Sequence, residues 1–176
     1  MINTSIEAPS ITVIAVSLNM QGSSRLDVSA KGFAQLSGTG AGAEPSDGTG
    51  GGSGGGHGGS GGTGHGGNAG GIAYGVIEQP VTAGSGGGRA RYANGHFRDG
   101  GAGGGTVRID VSGSLTMAAS ASIRANGAKG ADSGLSCVSG CLDNAYNGGG
   151  GAAAGSIWIT AESMLGTGSL QATGGT

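Results

Sequence analysis

Charged side chains make up only 10% of this 176-residue sequence and aromatic ones 3%, and the net charge is −2. So even a balance excludes the basic surface that nucleic-acid binding requires and the charge-driven disorder of acidic or basic tails. The 3 prolines are too few for collagen, whose triplet repeat needs proline in quantity. No apolar run reaches the roughly 18 residues of a membrane-spanning helix. Ile11–Leu18 has the apolarity of a signal core, but no Lys or Arg precedes it and no cleavage pattern is clear. The 2 cysteines cannot by themselves complete a tetrahedral zinc site, and helical periodicity is missing throughout.

What the chain has instead is glycine, 46 residues of it. The densest stretch runs from Gly48 to Gly71, and within it Gly52, Gly55, Gly58, Gly61, Gly64, Gly67 and Gly70 recur in threes without a miss. A Gly-x-x period suits an environment where only hydrogen fits at every third position. Polyproline II has that period, with no internal hydrogen bonds, so its N–H and C=O groups must pair with neighbouring chains or water. Unpatterned Gly/Ser runs are flexible linkers; the rest of the sequence favours order. Each glycine fixed in regular structure costs roughly 0.5–1 kcal/mol relative to alanine, so dense backbone hydrogen bonding, a covalent staple or neighbouring chains must offset the loss.

Between the glycine blocks lie short alternating segments. Leu26, Val28 and Ala30 alternate with Arg25, Asp27 and Ser29; Val107, Ile109 and Val111 alternate with Arg108 and Asp110. This is the period of half-buried strands. In ITVIAV the phase changes between Val13 and Ile14, which predicts a bulge or burial of both faces. The steps Leu18 to Leu26 and Leu115 to Ile123 match, as do Ile109 to Leu115 and Ile159 to Leu165, and Ile123 aligns with Leu170. These spacings predict one domain over 1–176, built of degenerate repeats of about 50 residues at about 10–37, 70–88, 105–130 and 155–175. The 70–88 copy is degenerate, with Pro80 confining any strand there to an edge. Glycine-rich excursions fill 38–71 and 131–154. Repeats that cannot bury their own apolar face signal a stacked array. The predicted fold is therefore all-β, a parallel β-solenoid or β-helix-like stack with polyproline II (polyglycine) tracts; a β-sandwich or barrel is the alternative. Leu26, Ile109, Ile123, Ile159 and Leu170 are expected to face inward.

The order SAKGF, GGSGGGHGGSGG, AYG…P…GSGGG, GGAGGGTVRI, RANG, GGAAAGSIWIT and QATGG resembles the glycine-rich repeat modules of large secreted or surface proteins of microbes, ciliates and plants. The resemblance covers about Ser23 to Gly175. It implies an adhesin-like parallel β-helix acting as a scaffold or surface fibre, and little biochemistry. A weaker resemblance, limited to the Gly-x-x tract, is to springtail antifreeze proteins, which implies bundled polyproline II helices.

Few residues offer chemistry. The CVSGC step favours a small disulfide between Cys137 and Cys141 over free thiols or metal and redox use, and a disulfide implies an oxidising, extracellular compartment. Asn3-Thr4-Ser5 is a glycosylation sequon. His57, His65 and His96 lack the spacing of a known metal site, and side chains bonded to nearby carbonyls are the favoured reading. Arg89, Arg91, Tyr92, His96, Phe97, Arg98 and Asp99 form the densest cluster. They could bind an acidic glycan or stack sugar on Tyr92 and Phe97, but arginines saturating glycine-loop carbonyls or pairing with Asp47 or Asp99 are favoured. The carboxylates are dispersed singly, unlike the gathered acids of β-helical lyases and hydrolases, so no catalytic residue, cofactor or metal is expected. The expected role is a structural, secreted module that assembles with copies of itself head to tail, or with adjacent repeats of a longer chain, into an extracellular fibre or surface layer. The alternative is an adhesin-like glycan- or ice-binding module. Neither end carries a charged cap, which favours end-to-end stacking.

Overall fold

Alternation decides the strands. In Thr106–Val111, Val107, Ile109 and Val111 are buried while Arg108 points outward, so one face turns to a core and the other to solvent. The computed structural model describes residues 4–46, 48–92, 95–133 and 147–176. Among them lie the strands β1 (Ser5–Glu7), β2 (Ser10–Ala15), β3 (Leu18–Met20), β4 (Arg25–Asp27), β5 (Ala90–Arg91), β6 (Phe97–Arg98), β7 (Thr106–Val111), β8 (Ser114–Met117), β9 (Ser122–Arg124), β10 (Ser156–Thr160), β11 (Ser163–Gly166) and β12 (Ser169–Gln171), and no helix.

Three purely parallel sheets result. They run β2–β7–β10, β3–β8–β11 and β1–β4–β9–β12. The chain thus lays down the same three-strand unit three times, as β2–β4, β7–β9 and β10–β12. Identical register stacks like on like: Ile11 with Val107 and Ile157, Val13 with Ile109 and Ile159, Leu18 with Leu115 and Met164, Leu26 with Ile123 and Leu170. These columns form one apolar core. Strand β1 adds a fourth member to one sheet only, setting Ile6 against Leu26.

The register corrects three expectations. There is no phase change in β2, because Ile11, Val13 and Ala15 keep the inward alternation while Ile14 faces outward and is 78% exposed. In the third unit Met164, not Leu165, pairs with Leu115, and Leu165 stands opposite Thr116. Between the paired residues the turn from β10 to β11 is one residue shorter than its counterpart, which moves β11 by one position, and the next turn is shorter again, so that Leu170 still meets Ile123. Residues 70–88 form no strand; their glycines belong to a different arrangement.

That arrangement is a lattice of glycine-rich segments bonded backbone to backbone. Gly52 and Gly55 donate to Gly148 O and Gly151 O, and Gly101 and Gly104 to Gly150 O and Ala153 O. Gly150 and Ala153 in turn donate to Gly88 O and Ser85 O, and Gly88 to Ser53 O. Every third residue of a segment bonds the same neighbour, and the residues between serve others. The segments lie so close that a Cβ at Gly150 would fall 1.9 Å from Ser53 O, and one at Gly103 1.8 Å from Gly84 O. Only glycine permits such an approach, and the donated bonds satisfy N–H and C=O groups that would otherwise be stranded. The lattice feeds straight into the sheets: Gly105 N–H bonds Val28 O and Gly155 N–H bonds Ala125 O, immediately before β7 and β10.

Candidate functional site

The stack has two dissimilar ends. At the β2–β4 end the inward residues are covered, with Ile11 at 7%, Leu18 at 5%, Met20 and Leu26 at 0% exposure, helped by Ile6 and Ala8. At the β10–β12 end nothing among the described residues buries the equivalents to the same degree. Met164 is 49% and Leu170 44% exposed, and Ile157 and Ile159 are only half-buried. Leu170 therefore holds its expected inward register yet faces an open end. Ile157, Ile159, Ala161, Met164 and Leu170 line a hollow of about 450 Å³ there.

A second hollow of about 800 Å³ adjoins it through Ile157 and Ala172. Its far wall is the loop 72–82, whose tip exposes Val76, Ile77 and Val81, with Ile77 92% exposed. The loop's base is anchored on both sides. Tyr74 O–H donates to Ala83 O and accepts from Ser85 Oγ, which itself accepts the Gly40 N–H. On the other side His57 Nδ1 lies 3.0 Å from Ala154 O and Nε2 2.8 Å from Thr82 Oγ1. A carbonyl can only accept, so Nδ1 carries the proton and Nε2 accepts from the Thr82 hydroxyl. Burial lowers the imidazole pKa, partly opposed by the bond to Ala154, a shift in the direction of the neutral ring that this bonding pattern uses. With Tyr74 and His57 both engaged internally, the hollow offers an incoming molecule mainly apolar surface and glycine backbone.

The polar cluster at 89–99 is brought together by the antiparallel pair β5–β6. Arg89 pairs with Glu44 at 2.9 Å and lies over the Phe97 ring at 4.1 Å, with Arg91 at 5.5 Å. Tyr92 is buried and its hydroxyl donates to Asn147 O. Arg98 Nε donates to Ser133 O at 3.2 Å, and Asp99 contributes its backbone carbonyl to Ala131 N–H. His96 accepts the Tyr92 N–H through its carbonyl, and His65 is exposed, its carbonyl bonded by Gly51. Glu44, not Asp99, is the acid that meets an arginine; the long separation in sequence hid this pairing. Two strand carboxylates also meet local arginines, Asp110 with Arg108 at 2.6 Å and Asp27 with Arg25 at 3.9 Å. Asn3, Asp47, Cys137 and Cys141 lie outside the described residues. Among the described residues no three His, Cys, Asp or Glu side chains gather as metal ligands, and no helix is long and apolar enough to cross a membrane.

Sequence reasoning missed two features. Arg108 stacks on Trp158 at 4.5 Å, legible only once β7 and β10 are known to pair in register. The unequal covering of the two ends was also hidden, because matching repeats read alike in sequence wherever they sit in a stack. Compared with protein-family models, curated proteins and solved structures, the chain matches none.

Proposed function

We propose that this chain is a structural, non-catalytic module of the parallel β-solenoid type, flanked by a polyproline II lattice of glycine segments, that assembles through its β10–β12 end. The observation that carries this reading is the uncovered end itself. Parallel edges with free N–H and C=O groups recruit further strands, and proteins that avoid this place lysine or proline there. Strands β10, β11 and β12, SIWIT, SMLG and SLQ, hold neither, nor any charge. An exposed apolar end next to an exposed apolar loop marks an interaction surface.

The setting that fits is an extracellular fibre or surface layer. The rigid glycine lattice and the CVSGC pair support it, as does the resemblance to secreted glycine-rich modules. The non-catalytic reading is supported by the described carboxylates that sit beside arginines rather than gathering on one face. A sugar platform at 89–99 has less behind it, because Tyr92 is buried and guanidinium already lies over Phe97. Sedimentation velocity across a wide concentration range, with electron microscopy of the same samples, tests the assembly. Species heavier than the 16.3 kDa chain are expected; a folded monomer at every concentration overturns the reading.

A further inference from the structure

We propose that the β10–β12 end is closed by the same end of a second copy, related by a twofold axis, so that assembly stops at a pair. This rests on the reading that the chain assembles through that end; it replaces the head-to-tail stacking expected from the repeats and, with it, a fibre grown from this chain alone.

Three observations lead there. The first is coverage. A growing array needs two exposed complementary surfaces, and among the described residues only one end has its inward side chains uncovered, Met164 and Leu170 against Leu18 and Leu26.

The second is level. Strand β1 lengthens one sheet by one member at the covered end. Butting β12 against the β1 of another copy would therefore hold β10 and β11 one extra strand spacing, about 4.8 Å, away from β2 and β3. Two of three edges would stay unpaired. At the other end all three sheets finish with a strand of the same unit, so two such ends meet without a step.

The third is composition and extent. The end strands carry no charge, so a contact made through them sets no like charges of those strands against each other. The two hollows together are lined by enough residues to match the roughly 20–30 per side of a stable interface, and the Ile77 tip supplies the projecting element that a twofold contact seats reciprocally.

Analytical ultracentrifugation and mass photometry of the full chain, from nanomolar to high micromolar, test the proposal. The expected result is a monomer–dimer equilibrium whose limiting mass is twice 16.3 kDa. Leu170→Glu, and separately Ile77→Glu in the exposed loop, should each weaken pairing by about 100-fold or more, since each places an unpaired charge in an apolar contact. Ile14→Glu, on an outward face of the first unit, should leave it unchanged. Masses that keep rising into filaments overturn the twofold closure while leaving the assembly reading intact. A monomer throughout overturns the assembly reading and the pair with it. A dimer indifferent to both Leu170→Glu and Ile77→Glu places the interface elsewhere and overturns the assignment.

Discussion

Leu26, Ile123 and Leu170 occupy one column of the core, a strand spacing apart, and differ chiefly in what covers them. Truncating each to alanine isolates that difference. Ile123 is 0% exposed between two apolar neighbours. Ile123→Ala removes buried methyl groups and leaves a cavity that the paired strands cannot collapse, a loss of about 3–4 kcal/mol. Leu170 is 44% exposed at an open end. Leu170→Ala forfeits only the buried part of its transfer free energy and leaves no enclosed void, about 1 kcal/mol. For a chain of this size these correspond to falls of roughly 10 °C and 3 °C in Tm. The single tryptophan, Trp158 on β10, lies over Arg108 of β7, so its fluorescence follows melting of the stack directly. The measurement belongs at concentrations where the chain is monomeric, so that Leu170 gains no cover from a partner. Equal losses for Ile123→Ala and Leu170→Ala under those conditions would refute the uncovered end and the inferences drawn from it. Ile123→Asp should not fold at all, because it leaves an unpaired charge inside.

Three further outcomes follow from the same geometry. Gly150→Ala should destabilise the chain severely, since its Cβ would meet Ser53 O at 1.9 Å, whereas Gly62→Ala, with open space around its Cβ and no left-handed backbone, should be neutral or raise stability by about 0.4–1 kcal/mol; thermal melts of the pair decide it. Because burial holds the folded-state pKa of His57 below the ordinary histidine value of 6.5, the unfolded chain binds more protons in that window. Stability should therefore fall as pH drops through about 6.5 and level off below the folded pKa, and His57→Gln should flatten that slope in urea titrations. Tyr92→Phe should cost about 1 kcal/mol through the lost bond from its hydroxyl to Asn147 O, read as a lower denaturation midpoint.

Strand identity and stacking partners were legible in the sequence because β-structure writes its burial at period two and repeats write their partners at equal spacing. Val107, Ile109 and Val111 announced β7, and the matched steps from Leu18 to Leu26 and from Leu115 to Ile123 announced which strands would stack. The glycine period announced segments that approach one another closely, and at Gly52, Gly55, Gly61, Gly64 and Gly70 a Cβ would indeed strike a carbonyl, whereas Gly58 and Gly67 have open space and the period demands nothing there. Direction of burial is as far as such local rules reach. Whether Leu170 is covered depends on what lies beyond β12, a contact between residues with no fixed separation, so its spacing matched Ile123 while its environment did not. The pairing of Glu44 with Arg89, the clasp of His57 between Ala154 and Thr82, and the one-residue shift that exchanges Met164 for Leu165 all depend on how loops return across the fold. Loop closure costs entropy that grows only slowly with length, so many returns are nearly equal in the chain alone. Packing of the glycine lattice against the sheets selects among them, and the order in which the units stack leaves the face of β10, β11 and β12 at one end.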